Sequence, residues 1–222
     1  MPPPIVLDID GTVSRRDRSI EGRVVDALHN WDAPVVLATG KAFPYPVALC
    51  DFVGLPQRVI AENGGVVYAD DRVVFEGDPA ACERFTAALR EAGYDLGWGE
   101  VDVLNRWRET EVAVAREVPR AVVDECAAAE GLQVIDSGYA YHVTATDVSK
   151  GRGLRTLCEV EGLDPGTFVA VGDSENDVST FAVVGDSYAV ANADDRALAA
   201  ADHVTEGSYG EGLLEVLATC RA

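Results

Sequence analysis

The chain has 222 residues, room for one large domain or a core with a smaller insert, and its 48% hydrophobic content is enough to bury a sizeable core. A formal net charge of −20 argues against nonspecific nucleic-acid binding, which needs basic surface to neutralise phosphates. No stretch approaches the roughly 20 apolar residues that span a bilayer, and Met1-Pro2-Pro3-Pro4 lacks the basic-then-apolar pattern of a secretion signal, so no membrane partner and a cytoplasmic location are expected.

In chain order, Ile5-Val6-Leu7 reads as a fully buried strand, Glu21 to Trp31 as an amphipathic helix, and Val35 to Ala38 as a second buried strand. Pro44 and Pro46 shape the entry to another helical segment, and Arg58 to Ala61 is a further short strand. After the turn Glu62-Asn63-Gly64-Gly65, the segments Val66-Val67-Tyr68 and Val73-Val74-Phe75 form a hairpin around Asp70-Asp71. Continuous apolar strands separated by helices mark a parallel sheet covered on both faces.

Between residues 79 and 147 the pattern changes. A helix from Pro79 to Ala92 leads into a loop rich in glycine, then a strand from Glu111 to Ala115 alternates in polarity, and Ala121 to Ala129 is helical. Strands Gln133 to Ile135 and Tyr139 to Thr144 follow. This reads as a small α+β module with one sheet face covered and the other exposed. From Ser149 the first pattern returns, with a helix over Gly151 to Glu161 and a buried strand over Phe168 to Val171. The expected fold is therefore α/β: a doubly wound parallel-sheet core over residues 1–78 and 148–222, with an α+β cap over 79–147.

The five cysteines are odd in number and scattered, without a CxxC pair or a Cys/His cluster, which favours buried small hydrophobes in a reducing compartment over zinc or disulfides. The acids are spread through the chain, and lysine occurs only at Lys41 and Lys150 against sixteen arginines. Such a surface repels itself at low salt, so a salt-adapted protein is expected, with an ordinary acidic protein as the alternative. Where lysine is nearly excluded, a retained one is expected to have a task. This applies first to Lys150 and less strongly to Lys41.

Four places put polar residues beyond strand ends or at helix starts, where open α/β sheets collect ligands. The first is Asp8-Ile9-Asp10-Gly11-Thr12, two carboxylates that are costly to desolvate unless paired or bound to metal. The second is Thr39-Gly40, the third Lys150 at a helix N-terminus, and the fourth Gly172-Asp173-Ser174-Glu175-Asn176-Asp177. Taken singly they read as a strand-end turn, a second turn, a solvated lysine and a helix cap. Taken together they supply what phosphoryl transfer needs: a nucleophile, a proton donor for the leaving oxygen, and positive charge around the phosphoryl group. Carboxylates at three positions suit magnesium, a hard octahedral cation. The triplet Thr39-Gly40-Lys41 is not a P-loop, since Val35 stands where its first glycine belongs.

These four segments, in this order, resemble the motifs of the haloacid dehalogenase superfamily phosphatases. Glu62-Asn63-Gly64-Gly65 is similar to a segment of the subgroup whose cap lies between the second and third motifs, and the length and small cap most resemble its archaeal phosphoglycolate phosphatases. The resemblance implies that Asp8 attacks phosphorus and forms an aspartyl-phosphate, and that Asp10 protonates the leaving alkoxide and later activates water. It also implies that Thr39, Gly40 and Lys150 bind the phosphoryl group. Mg2+ would be held by Asp8, the backbone carbonyl of Asp10, Asp173, and Asp177 as a ligand or as a partner behind the ligands. The implied reaction is hydrolysis of a small phosphate monoester, 2-phosphoglycolate first, with a sugar-phosphate phosphatase or a phosphomutase or phosphotransferase as alternatives. A binding module without turnover is disfavoured because no catalytic position is missing. In the cap, Arg106, Arg108 and His142 are candidates for a substrate carboxylate, against salt bridges for the arginines and a satisfied sheet position for the histidine. Monomer and homodimer both stay open.

Overall fold

The computed structural model describes residues 1–221. Its larger sheet has eight strands, β1 (Ile5–Asp8), β2 (Val35–Ala38), β3 (Val59–Ala61), β4 (Val66–Ala69), β5 (Arg72–Phe75), β9 (Val169–Gly172), β10 (Asp186–Ala189) and β11 (His203–Val204). They lie in the order β11-β10-β9-β1-β2-β3-β4-β5. Pairing is parallel from β11 to β3, and β4 and β5 are antiparallel. The sheet is thus mixed. The tight Asp70-Asp71 turn, with both residues at positive φ, leaves no length for a crossover, so the hairpin extends the sheet as an antiparallel edge.

The continuous apolar runs bury both faces. Ile5, Leu7, Val35, Leu37, Val169 and Val171 face one way, against Val24 and Leu28 of α1 (Gly22–His29), Cys50 and Val53 of α2 (Pro44–Val53), and Leu213 and Val216 of α8 (Gly210–Arg221). Val6, Val36, Ile60 and Ala170 face the other, against Leu154 and Leu157 of α5 (Lys150–Glu161), Phe181 of α6 (Val178–Phe181) and Ala197 of α7 (Asp195–Ala200). Alternation within each run divides the strand between two helical layers. Burial pushes the thiols of Cys50 and Cys158 up to about 11 and that of Cys82 up to about 12, so these cysteines behave as inert core residues.

The second sheet, between β5 and α5 in the chain, is antiparallel with order β6-β8-β7, where β6 is Glu111–Ala115, β7 Leu132–Asp136 and β8 Ala140–Ala145. Val112, Val114, Tyr141 and Val143 pack on Phe85 and Leu89 of α3 (Pro79–Glu91) and on Val123 and Ala127 of α4 (Arg120–Ala129). Here the sequence expectation needs correcting. The opposite face of β6 is not exposed: all five β6 residues are buried. The glycine-containing loop before β6 folds over this face. Trp98 Nε1 and Asn105 Nδ2 both donate to Ala113 O, at 2.8 and 2.9 Å, and Trp98 stacks on Tyr139. An irregular loop carries no periodicity that could announce this cover.

Candidate active site

Parallel pairing fixes where the site lies. Asp8 is opposite Ala38, and Leu7 is opposite Val171, so the C-terminal ends of β1, β2 and β9 meet at one edge. The chain leaves β1 toward β2 on one side while β9 flanks it on the other, the arrangement that opens a ligand crevice in α/β sheets.

At this edge Asp8 is buried, and its Oδ1 accepts from Lys150 Nζ at 2.7 Å. Lys150 is the first residue of α5, whose N-cap Ser149 Oγ accepts from Arg152 N at 3.2 Å. Its ammonium also donates to Asp177 Oδ1 at 2.7 Å and Asn176 Oδ1 at 3.0 Å, so all three hydrogens are engaged. Burial opposes the charge of Lys150, but Asp177 and Asp8 outweigh it and hold the lysine protonated. Asp177 Oδ2 accepts from the backbone N–H of Asp173 and Ser174, at 3.0 and 3.2 Å, which folds the loop after β9.

The carboxylates of Asp8, Asp173 and Asp177 place one oxygen each within 4.8 Å of one another. Two buried oxygens in this group, Asp8 Oδ2 and Asp173 Oδ1, have no hydrogen-bond partner. Burial, reinforced by the neighbouring acids, raises Asp8 and pushes Asp173 up to about 7, with Lys150 opposing both. Buried polar atoms are seldom left unsatisfied, and here two carboxylates of one cluster each keep a buried oxygen without a partner. Such a set suits a hard divalent cation, which would favour the anionic form of both groups. Gly11 makes the approach feasible. At φ +92°, a Cβ there would overlap Asp173 Oδ2 and lie 2.8 Å from its Cγ.

The remaining residues line the same edge. Thr39 is buried, its N–H donates to Ile60 O at 2.8 Å, and its Oγ1 accepts from Lys41 N at 3.1 Å. Asp10 stands apart from the three-carboxylate group. Its Oδ2 pairs with Lys41 Nζ at 2.7 Å, and its side chain is 42% exposed. Gly40 lies against Asn63, which donates to Glu111 Oε2 at 2.6 Å and accepts from Asn176 Nδ2 at 3.0 Å.

Two residues that the sequence reading left without a role join cap to core. Glu62, fully buried in the core, accepts from the N–H groups of Glu109 and Thr110 and from Thr110 Oγ1. Glu111, buried in the cap, pairs with Arg108 and accepts from His142 Nδ1 at 2.8 Å as well as from Asn63. Burial alone would raise Glu111, but Arg108 and His142 together hold it below the ordinary glutamate range. Arg108 also donates to Gly40 O at 3.0 Å, which seats the cap loop on the turn after β2. Arg108 and His142 are thus engaged with the chain's own glutamate, the salt-bridge and satisfied-sheet alternatives of the sequence reading. Arg106 lies 5.8 Å from the Trp107 ring centre. Glu111 belongs to no motif, and as the first residue of β6 it carries no sequence signal of this role.

Comparison with known proteins agrees with this geometry. The sequence is 56% identical over 223 residues to a phosphoglycolate phosphatase of Halorubrum lacusprofundi, covering 100% of this chain and 98% of that one. It is 54% identical over 220 residues to a phosphoglycolate phosphatase of Halobacterium salinarum, covering 99% and 98%. The crystal structure of Thermoplasma acidophilum 0175 superimposes with a TM-score of 0.83 at 25% identity, covering 100% of this chain and 99% of that one. The sequence pattern of the haloacid dehalogenase-like hydrolases matches residues 5–102 and 115–217, the internal gap being the cap loop and most of β6, and with the carboxylate–lysine edge described above it shows that the chain belongs to that family.

Proposed function

We propose that the protein is a magnesium-dependent phosphatase that hydrolyses 2-phosphoglycolate to glycolate and phosphate through a phosphorylated Asp8. The observation that carries this reading is the pair of unpartnered buried oxygens, Asp8 Oδ2 and Asp173 Oδ1, beside a lysine that fixes the other Asp8 oxygen. A purely structural aspartate would have both oxygens satisfied. The substrate is taken from the two haloarchaeal relatives, which are named for it at more than half identity along the full chain.

In this scheme Asp8 attacks phosphorus in line. An Asp8 O–P bond forms, the P–O bond to glycolate breaks, and Asp10 delivers a proton to the departing oxygen. Water then attacks phosphorus and gives its proton to Asp10, and the Asp8 O–P bond breaks, which returns the enzyme. The Thr39 hydroxyl and the Gly40 N–H would hold phosphoryl oxygens, and Lys150, which keeps Asp8 oriented for attack, would reach one by giving up its longest bond, to Asn176 Oδ1. Asp8, the backbone carbonyl of Asp10 and Asp173 would hold the magnesium ion. Both oxygens of Asp177 are already engaged, by Lys150 and by the Asp173 and Ser174 N–H groups, so Asp177 orients that set from behind. When bound there, magnesium would supply charge neutralisation among these carboxylates and on the phosphoryl group. The cap, tied down at Glu62, Asn63 and Gly40, excludes water and favours a small leaving group.

The test is a phosphate-release screen of small phosphate esters in Mg2+ and molar KCl. 2-Phosphoglycolate should give the highest kcat/KM, and Asp8→Asn should remove turnover. A sugar phosphate ranking above it would refute the substrate, and wild-type turnover by Asp8→Asn would refute the nucleophile.

A further inference from the structure

The chain holds two lysines in 222 residues, and both reach this site. Lys150 pairs with Asp8, and Lys41 pairs with Asp10. The two are not equivalent. Lys150 is buried with every hydrogen engaged. Lys41 has a side chain 37% exposed, and among the described residues its ammonium has Asp10 as its single partner, at 2.7 Å. Two of its three hydrogens stay available. Its backbone is nevertheless fixed, since its N–H donates to Thr39 Oγ1 at 3.1 Å and its carbonyl accepts from Glu62 N at 3.0 Å. An open cation on a fixed backbone, next to the proposed leaving-group acid, is placed to read what leaves.

We infer that Lys41 is the specificity-determining residue for the substrate's carboxylate, binding it while still paired with Asp10. This rests on the reading of the substrate as a carboxylated phosphate ester. Of the three cap candidates, Arg106 lies 5.8 Å from the Trp107 ring centre and has no ion pair among the described residues, and the other two are committed. Arg108 donates to Leu104 O and Gly40 O and pairs with Glu111, which also takes His142. In 2-phosphoglycolate the carboxylate is one carbon removed from the leaving oxygen, and bonds near 1.5 Å keep the two within about 4 Å. A group that bridges Asp10 and that carboxylate must therefore be compact and offer several donors. An ammonium does so as a point charge with three rotatable hydrogens, whereas guanidinium is shaped to grip one carboxylate in parallel. With Asp8, Asp10, Asp173 and Asp177 at this edge, an incoming carboxylate is repelled unless a cation meets it.

The test compares Lys41→Met and Lys41→Arg with the wild type on 2-phosphoglycolate and on 2-hydroxyethyl phosphate, which carries a hydroxymethyl group in place of the carboxylate. Phosphate release gives kcat/KM for each, and the result is the ratio of the two substrates within one enzyme. A charge-assisted hydrogen bond is worth enough that Lys41→Met should lower this ratio about 30-fold, chiefly through KM for the acid. Lys41→Arg should recover most of it. An unchanged ratio in Lys41→Met, whether both substrates fall together or neither does, overturns the proposal, because Lys41 then serves Asp10 alone or nothing. Phospholactate and 3-phosphoglycerate are measured alongside. A wild type that favours one of these refutes the substrate proposed above, while the loss of that preference in Lys41→Met still supports Lys41. A wild type indifferent to the carboxylate refutes Lys41.

Discussion

Gly11→Ala gives a sharp test of the site because its two effects are separable. A Cβ at residue 11 would lie 2.8 Å from Asp173 Cγ, where unstrained carbon–carbon contacts begin at about 3.5 Å. Asp173 must therefore retreat by roughly 0.7 Å or more, against the ±0.2 Å or so that a coordination distance tolerates. The backbone effect is independent: alanine at φ +92° costs on the order of 1–2 kcal/mol. The variant should then lose about 4 °C in Tm, and bind Mg2+ at least about 10-fold more weakly by titration calorimetry in molar KCl. Gly162→Ala is the control. Gly162 also has positive φ, +67°, but a Cβ there meets nothing within 4 Å. It should lose similar stability and bind the ion as wild type does. If Gly11→Ala binds Mg2+ within about threefold of wild type, Asp173 is not a ligand, and the argument from its unpartnered oxygen fails.

Three further outcomes follow from the same geometry. Lys150→Met leaves the buried carboxylates of Asp8 and Asp177 without their cation, so unfolding should be easier by about 3–5 kcal/mol, and denaturant titration at pH 7 that finds under 1 kcal/mol would refute the buried triad. Glu111 has a folded-state pKa below the ordinary value of 4.5, so its contribution is present above pH 4.5 and fades as pH falls through the lowered value. The wild type should therefore exceed Glu111→Gln in Tm near pH 6 and converge with it under acid, and a gap that widens on acidification would contradict this sign. With net charge −20, raising KCl from 0.1 to 2 M shortens the screening length from about 10 Å to under 3 Å, and Tm should rise by roughly 10 °C, a flat profile refuting salt adaptation.

What could be read from the sequence depended on whether a contact stays local to a strand end. Asp8, Asp10, Thr39 and Asp173 each follow a continuous apolar run, and parallel pairing of β1, β2 and β9 is enough to gather them. Lys150 was singled out by the rarity of its residue type, and it stands at the start of the helix expected there. The links from Asn63 to Glu111 and from Glu62 to Thr110 could not be read, because they join residues 48 positions apart across two sheets. Neither has a motif. The outer face of the cap sheet was expected to be exposed for a similar reason: the loop that covers β6 is irregular, and polarity alternation along a strand says nothing about what lies above it.

The two aspartates that open the site are two residues apart yet sit in different physical surroundings. Asp8 is 6% exposed and bonded to a lysine that cannot leave, whereas Asp10 is 42% exposed by side chain and bonded to one that can reach outward. Where environments diverge this far, roles diverge with them. A nucleophile gains from being desolvated and held in one orientation, since ordering cost is then met during folding and not during reaction. A proton donor must instead meet leaving groups that differ between substrates, at the open side of the cleft. On the proposed mechanism the buried half would fix the reaction, and the open half, with Lys41, would be where selection among phosphate esters occurs. Substitutions around Asp8 should change turnover for every ester alike, and those around Lys41 should change which ester is preferred.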